Sequence, residues 1–215
     1  MQEDSPDATA RAGTAALRRV PRQERGRRAV ESVLAATSEL LEESGFDSLT
    51  TALIAERAGV NIATVYRYYP NKFTIVRELA VELEEERSIA AVSALRVLED
   101  GANWREPVRH AITAMADLRT SRPGARAIRR ALQSSAELWD LDHEVNARTA
   151  RAISRFLRAV QPTLGEAEAR NIALTVVTTV ASLLDLTIDD AEQEASVQAE
   201  LIAMVEAYLA RRLEG

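Results

Sequence analysis

Apolar residues recur along most of this chain at helical spacing. From about Arg25 onward, Val30, Val33, Leu34, Thr37, Leu40 and Leu41 fall on one stripe at steps of three and four, which predicts an amphipathic helix. Gly45 should end it, because glycine takes a positive φ without steric cost, and Phe46 should fold back as an apolar plug. "LTTALIAERAG" (49–59) predicts a second, short helix, capped by Thr50 or Thr51, with Leu53, Ile54 and Ala58 inward and Gly59 as its stop. A third helix follows over "IATVYRYY", with Asn61 as N-cap and Pro70 as terminator. Asn71 then caps a long helix over about 72–98, with Val76, Leu79, Ala80 and Leu83 on its inner stripe.

Farther along, "GANW" (101–104) reads as a loop, and Pro107 suits the first turn of a helix reaching about Arg119. "SRPG" (121–124) is the next break. Helices are predicted near 125–136, 141–160, 166–186 and 190–212, separated at Asp140, 162–165 and 187–189. No stretch alternates with the period of a strand and no internal repeat is present, so the fold class is all-α, with about nine helices. "IALTVVTTVASLLDL" (172–186) falls short of a bilayer span and contains three threonines, Ser182 and Asp185, so it reads as a buried helix. The polar start "MQEDSPDATARAG" is no secretory signal, and a cytoplasmic location is expected.

Composition narrows the chemistry. At 215 residues, 47% hydrophobic and 28% charged, the chain is ordinary for a globular protein with a sizeable core. It has no cysteine, which excludes disulfides, thiolate metal sites and a cysteine nucleophile. His110 and His143 are distant from each other, there is no His-Glu-x-x-His, and the eight glycines form no phosphate-cradling loop. Neither an enzyme, a metal nor a cofactor is expected. The net charge of −6 is unevenly spread. Between Ala8 and Val30, seven arginines stand against Glu24 alone, a local +6 that leaves −12 on the remainder. Residues 1–21 lack helical period, so they read as a flexible basic arm, either simply solvated or meeting a polyanion.

"VYRYYPNK" (65–72) holds three of the four tyrosines and the single lysine of a chain whose other 26 cationic side chains are arginine. Residues 50–69 read as helix, tight turn, helix, the turn being Gly59-Val60-Asn61. A second helix that short needs tertiary packing to persist. Val65 and Tyr69, four apart, should face inward with Val60, leaving Ala63, Thr64, Arg67 and Tyr68, with Tyr66 at the margin, on an exposed face. This is the layout of a helix-turn-helix, whose second helix enters the DNA major groove. Ala63 and the Thr64 methyl suit thymine methyls, and Arg67 can fork onto guanine or a phosphate. Tyr66 and Tyr68 can reach phosphates, as can Lys72 and Thr50 at helix starts. The candidate DNA-binding residues are Thr50, Thr51, Asn61, Ile62, Ala63, Thr64, Tyr66, Arg67, Tyr68 and Lys72.

"TTALIAERAGVNIATVYRYYPNKFTIVRELA" resembles the DNA-binding domain of TetR-type (tetracycline-repressor-like) bacterial transcriptional regulators, closely over roughly residues 25–83. Asn61 stands where serine is common and caps equally well; Tyr69 stands where phenylalanine is common, so its hydroxyl must find a partner or reach the surface. The resemblance implies a DNA-binding domain over 22–72 and a larger helical domain over 73–215 that binds an effector and dimerises. The helix at 166–186 is apolar nearly all round, and that at 190–212 carries an apolar stripe; the resemblance implies that this pair meets its copy in a homodimer, through Val177, Leu184, Val197, Leu201, Met204, Val205 and Tyr208, the alternative being core within one subunit. It also implies an effector cavity, with Trp104, His110, Met115, Leu118, Trp139, Phe156 and Thr178 as candidates to line it. Arg122, Arg126, Arg129 and Arg130 read as a cationic face, solvated or facing an acidic effector. The implied function is a repressor that binds a palindromic operator and is released by a small molecule, with the long helix from Lys72 as the link between the two domains. An effector-independent regulator and a helical adaptor with a vestigial helix-turn-helix are the rivals.

Overall fold

The computed structural model describes residues 24–100, 103–119, 124–134, 136–187 and 190–214, and within these the Trp139 side chain is not described. The basic arm and Arg122 therefore lie outside the described residues, as does the side chain of Trp139. Among those described, every regular element is helical: α1 (Glu24–Ser48), α2 (Thr51–Arg57), α3 (Ile62–Tyr68), α4 (Lys72–Leu95), α5 (Arg105–Asp117), α6 (Ala125–Ser134), α7 (Ala136–Val160), α8 (Glu166–Leu186) and α9 (Ala191–Leu213). A 3₁₀ turn, Arg96–Asp100, continues α4.

The caps stand where the side chains allow them. Thr50 Oγ1 accepts from Leu53 N, Asn61 Oδ1 from Ala63 N, and Asn71 Oδ1 from Thr74 N, each satisfying an amide that the first helical turn leaves unpaired. Gly45 breaks α1 with φ 74° and ψ 176°, a conformation open essentially to glycine alone. Two readings are corrected. Asp140 does not interrupt the chain; it lies inside α7, an exposed acid on a helix held by its apolar stripe. Leu53 is 42% exposed rather than inward, because Ile54 and Ala55 supply the buried edge of a two-turn helix.

The interior is two apolar clusters. One joins α1–α4 with α6 and the first half of α7; the other joins the end of α4, α5, the end of α7, α8 and α9. Helix α4 belongs to both: Ile75, Val76, Leu79 and Leu83 serve the first, Ala91 and Leu95 the second. Helix α8 is long and apolar enough to cross a membrane by length and composition, but Ile172, Val177, Val180 and Leu184 are buried in the second cluster.

A charged network lies at the level where the clusters meet. Glu84 and Arg87 sit on α4 between Leu83 and Ala91, and Arg129 sits on α6 next to Ile128. Asp185 of α8 accepts from Arg119 Nε at 3.0 Å and Arg129 Nε at 3.1 Å, and also pairs with Arg129 Nη2. Arg129 Nη1 reaches Glu84 Oε1 at 2.5 Å and Asp142 Oδ1 at 2.8 Å. Arg87 pairs with Glu84 and donates to Asn146 at 2.9 Å. Arg119 closes onto the carbonyls of Met115 and Ala181. The expected cationic face of α6 is thus corrected: Arg129 points into the core, and Arg126 lies 3.9 Å from Glu194 of α9.

Candidate nucleic-acid interface

Helices α2 and α3 form the helix-turn-helix. Gly59, at φ 64°, makes the turn, and Asn61 starts α3 in an extended conformation. Val65 and Tyr69 are completely buried and Val60 packs against the same cluster, so tertiary contacts hold a seven-residue helix that would melt alone. The Tyr69 hydroxyl is enclosed without a well-formed hydrogen bond; burial first, then the negative charges of Glu78 and Glu82, raise its pKa far above the usual phenol range.

Opposite this buried edge, Asn61, Ile62, Ala63, Tyr66 and Arg67 are exposed and Thr64 is half-buried. Ile62, an apolar side chain at the start of α3, is 41% exposed. Thr51 Oγ1 lies 2.9 Å from the Tyr66 hydroxyl, tying the start of α2 to the middle of α3 and fixing the angle between the two helices. Arg57 is occupied elsewhere: its guanidinium forks onto Glu43 of α1 at 2.8 and 2.7 Å, and that bond holds the Glu43 carboxyl below its usual range.

Of the expected phosphate contacts, the exposure of Tyr68 is corrected, and half-buried Lys72 has partners inside the chain. Tyr68 is buried rather than exposed, with 7% of its surface accessible, because it lies three residues after Val65 on the inner stripe. Lys72 does open α4, but its Nζ donates to the Phe46 carbonyl at 3.0 Å and sits 4.4 Å from the centre of the Phe46 ring. The Gly45 kink turns that carbonyl toward α4, and Phe46 packs edge-on against Phe73. The lone lysine is therefore an anchor between the end of α1 and the start of α4.

In the second cluster, a cavity of about 50 Å³ is lined by apolar residues alone, Trp104, Met115 and Phe156 among them. Three other expected lining residues, His110, Leu118 and Thr178, lie elsewhere. His110 is exposed on a separate surface groove with Arg109 and Glu106, and Leu118 and Thr178 do not reach the cavity. The Trp104 indole N–H does not provide a polar spot inside; it donates to Glu214 Oε1 at 3.0 Å.

Of the residues expected at a dimer interface, Val177, Leu184, Leu201 and Val205 are buried in the chain's own core, since α8 and α9 each turn one face inward. Val197 and Tyr208 are half-buried and Met204 is 47% exposed. The outward faces carry Leu174, Thr175, Ser182 and Leu186 on α8, and Ser196, Ala199, Ala203, Met204 and Ala207 on α9.

Residues 33–79 match the family described as "Bacterial regulatory proteins, tetR family", and residues 103–209 match "Tetracyclin repressor-like, C-terminal domain". The HTH-type transcriptional regulator YdeS of Bacillus subtilis (strain 168) is 36% identical over 94 residues, 44% of this chain and 43% of YdeS. The tetracycline repressor protein class D of Escherichia coli is 43% identical over 53 residues, 25% of this chain and 24% of that protein. The chain thus spans less than half the length of these relatives. The fold match is broader. A TetR-family transcriptional regulator from Streptomyces coelicolor superposes with a TM-score of 0.62 at 24% identity, covering 85% of this chain and 98% of that one. A TetR-family regulator from Mesorhizobium loti MAFF303099 gives 0.67 at 16% identity, covering 87% and 98%. With a helix-turn-helix at one end and an all-helical layout shared along most of its length, this chain belongs to the TetR family of DNA-binding transcriptional regulators.

Proposed function

We propose that this regulator acts as a cytoplasmic repressor, a homodimer that binds a palindromic operator in duplex DNA and is released by a small-molecule effector. The observation that carries the DNA-reading part is the face of α3: Asn61, Ile62, Ala63 and Arg67 exposed at one tip, with Thr64 at its margin, over a completely buried Val65 and Tyr69. Ile62, Ala63 and Thr64 offer methyl groups to thymine, and Arg67 offers a guanidinium fork to guanine. Thr50, Thr51 and Tyr66 would meet the phosphate backbone beside it. The division into a DNA-binding domain over 22–72 and an effector domain over 73–215 follows from this reading, with α4 as the link.

One helix-turn-helix makes few contacts, and two related by a two-fold axis match successive major grooves. The outward face of α8 and α9 is the proposed dimer surface. Small residues at 196, 199, 203 and 207 allow close helix approach, and Leu174 and Met204, 40% and 47% exposed, supply apolar area. The limited size of the cavity favours a second reading, a regulator that answers to no ligand; titration with apolar ligands separates the two.

The test of the DNA reading is Arg67→Ala. Affinity for the selected operator should fall by about 1–3 kcal/mol, with preference relaxed at one base position. Unchanged affinity and preference would remove α3 from base reading.

A further inference from the structure

We propose that the outer face of α7, with its groove against α4, is a docking surface for an acidic, extended segment of a partner protein, held by a row of arginines and anchored by an aliphatic side chain.

The charge pattern marks the face. Between Glu144 and Glu166 the sequence holds four arginines and no acid, in a chain whose net charge is −6. Arg148, Arg151, Arg155 and Arg158 follow one another at steps of three, four and three, so they share one side of α7, and all four are exposed. At 1.5 Å per residue the row is about 15 Å long. Little of its charge is neutralised inside the chain. Arg148 comes only within 3.9 Å of Glu85, and Arg155 within 3.6 Å of Glu99, with about half of each side chain in solvent. Among the described residues, no hydrogen bond or ion pair engages the guanidinium of Arg151 or Arg158.

One end of the row opens into a groove of about 500 Å³. Arg77 lines its α4 side, Arg148 and Arg151 line its α7 side, and Leu141 and Val145, both buried, join Val81 as an apolar floor. Arg77 is half-buried and, among the described residues, has no counter-ion. Glu144 is the one acid lining the groove, so three arginines face a single carboxylate. A half-desolvated guanidinium without an internal partner favours an anion from outside, and its fork matches a carboxylate. The elongated shape selects a peptide: an extended chain rises about 3.3 Å per residue, so about five residues cover the row. The apolar floor takes an aliphatic side chain from that peptide. A nucleic-acid strand fits less well, because among the described residues α7 exposes no phenylalanine, tyrosine or tryptophan on which bases could stack. A membrane surface also fits less well, because none of the exposed large hydrophobic residues lies on α7.

The test uses the full chain and a fluorescein-labelled octapeptide, Glu-Glu-Leu-Glu-Glu-Leu-Glu-Glu, read by anisotropy at low salt. Saturable binding is expected. It should fall at least ~10-fold when Arg148→Glu and Arg151→Glu are combined, and about 10-fold when serine replaces both leucines of the peptide. Glu144→Gln should strengthen binding about 2–5-fold, and Arg211→Glu, on α9, should leave it unchanged. These positions are exposed, so helical circular dichroism should match that of the wild type. No saturable binding overturns the proposal. So does affinity that survives the reversal at Arg148 and Arg151, including binding that is lost instead with Arg18→Glu and Arg19→Glu, which would place the peptide on the basic arm. Equal affinity for the serine peptide overturns it too, reducing the face to a general attractor of anions. Tighter competition for the face by a thymidine oligonucleotide or by phosphatidylglycerol vesicles would give it to a nucleic acid or a membrane instead. Self-association of the chain that the same reversal abolishes would give it to a second copy.

Discussion

Asp185→Asn is the perturbation whose cost the structure specifies best. Asp185 is 8% exposed and accepts from two guanidiniums that are themselves 1% and 2% exposed. The network balances three arginines, 87, 119 and 129, against three carboxylates, 84, 142 and 185. Asparagine keeps the shape and one acceptor oxygen but removes the charge, leaving a net positive group in the core. Removing one partner of a buried ion pair costs about 3–5 kcal/mol, and the retained oxygen places the loss near 3. For a chain of this length that is a fall of about 6–12 °C in Tm. Urea unfolding at pH 7 and fixed protein concentration, read by helical circular dichroism, should show a lower midpoint with an unchanged slope. Adding Arg119→Met restores the charge balance, so the double variant should be more stable than Asp185→Asn alone by about 1 kcal/mol or more. A single-variant loss below about 1 kcal/mol, or strict additivity in the double, would refute the view that these charges hold one another.

The same aspartate sets an acid limit. Burial alone would raise its pKa, but the Arg129 and Arg119 charges outweigh burial and hold it below the usual carboxylate range. Its contribution is thus full above the unfolded value of about 4 and fades as pH falls below it, so the Tm gap between wild type and Asp185→Asn should shrink below about pH 3. Gly124→Ala should destabilise by about 1–3 kcal/mol in thermal unfolding, since φ is 78° and a Cβ would lie 1.9 Å from Ser38 Oγ; Ser38→Ala should recover part of the loss. Lys72→Met should cost about 1–2 kcal/mol of stability by removing a charged hydrogen bond, and should leave the salt dependence of DNA affinity alone. If stability holds and the salt slope falls by about one, Lys72 contacts a phosphate instead.

The helices were legible because their signals are local. The caps at Thr50, Asn61 and Asn71, the glycine stops at 45 and 59, and the three-and-four spacing of α1 and α4 can be read from neighbouring residues. The buried core of α3, Val65 with Tyr69, was equally plain. What escaped depends on partners distant in sequence. Tyr68 and Lys72 look like surface groups until α1 and its Phe46 carbonyl are in place. The ion network joins residues up to 66 positions apart, yet it left a trace: Glu84 and Arg87 continue the inner stripe of α4 through 80, 83, 87 and 91, where a solvated charge has no place. Asp185, inside the apolar run of α8, was a second such trace. The inner stripes of α8 and α9 could not be assigned to core or dimer from periodicity, because both use the same apolar residues.

The most direct test of the central claim is selection of binding sites from random duplex DNA, with affinities measured at two salt concentrations. The account predicts recovery of an inverted repeat whose half-sites carry thymine beside guanine, matching Ile62, Ala63 and Arg67, with affinity falling steeply as salt rises. Recovery of no motif by folded, ligand-free protein would contradict it and leave a helical adaptor as the better description.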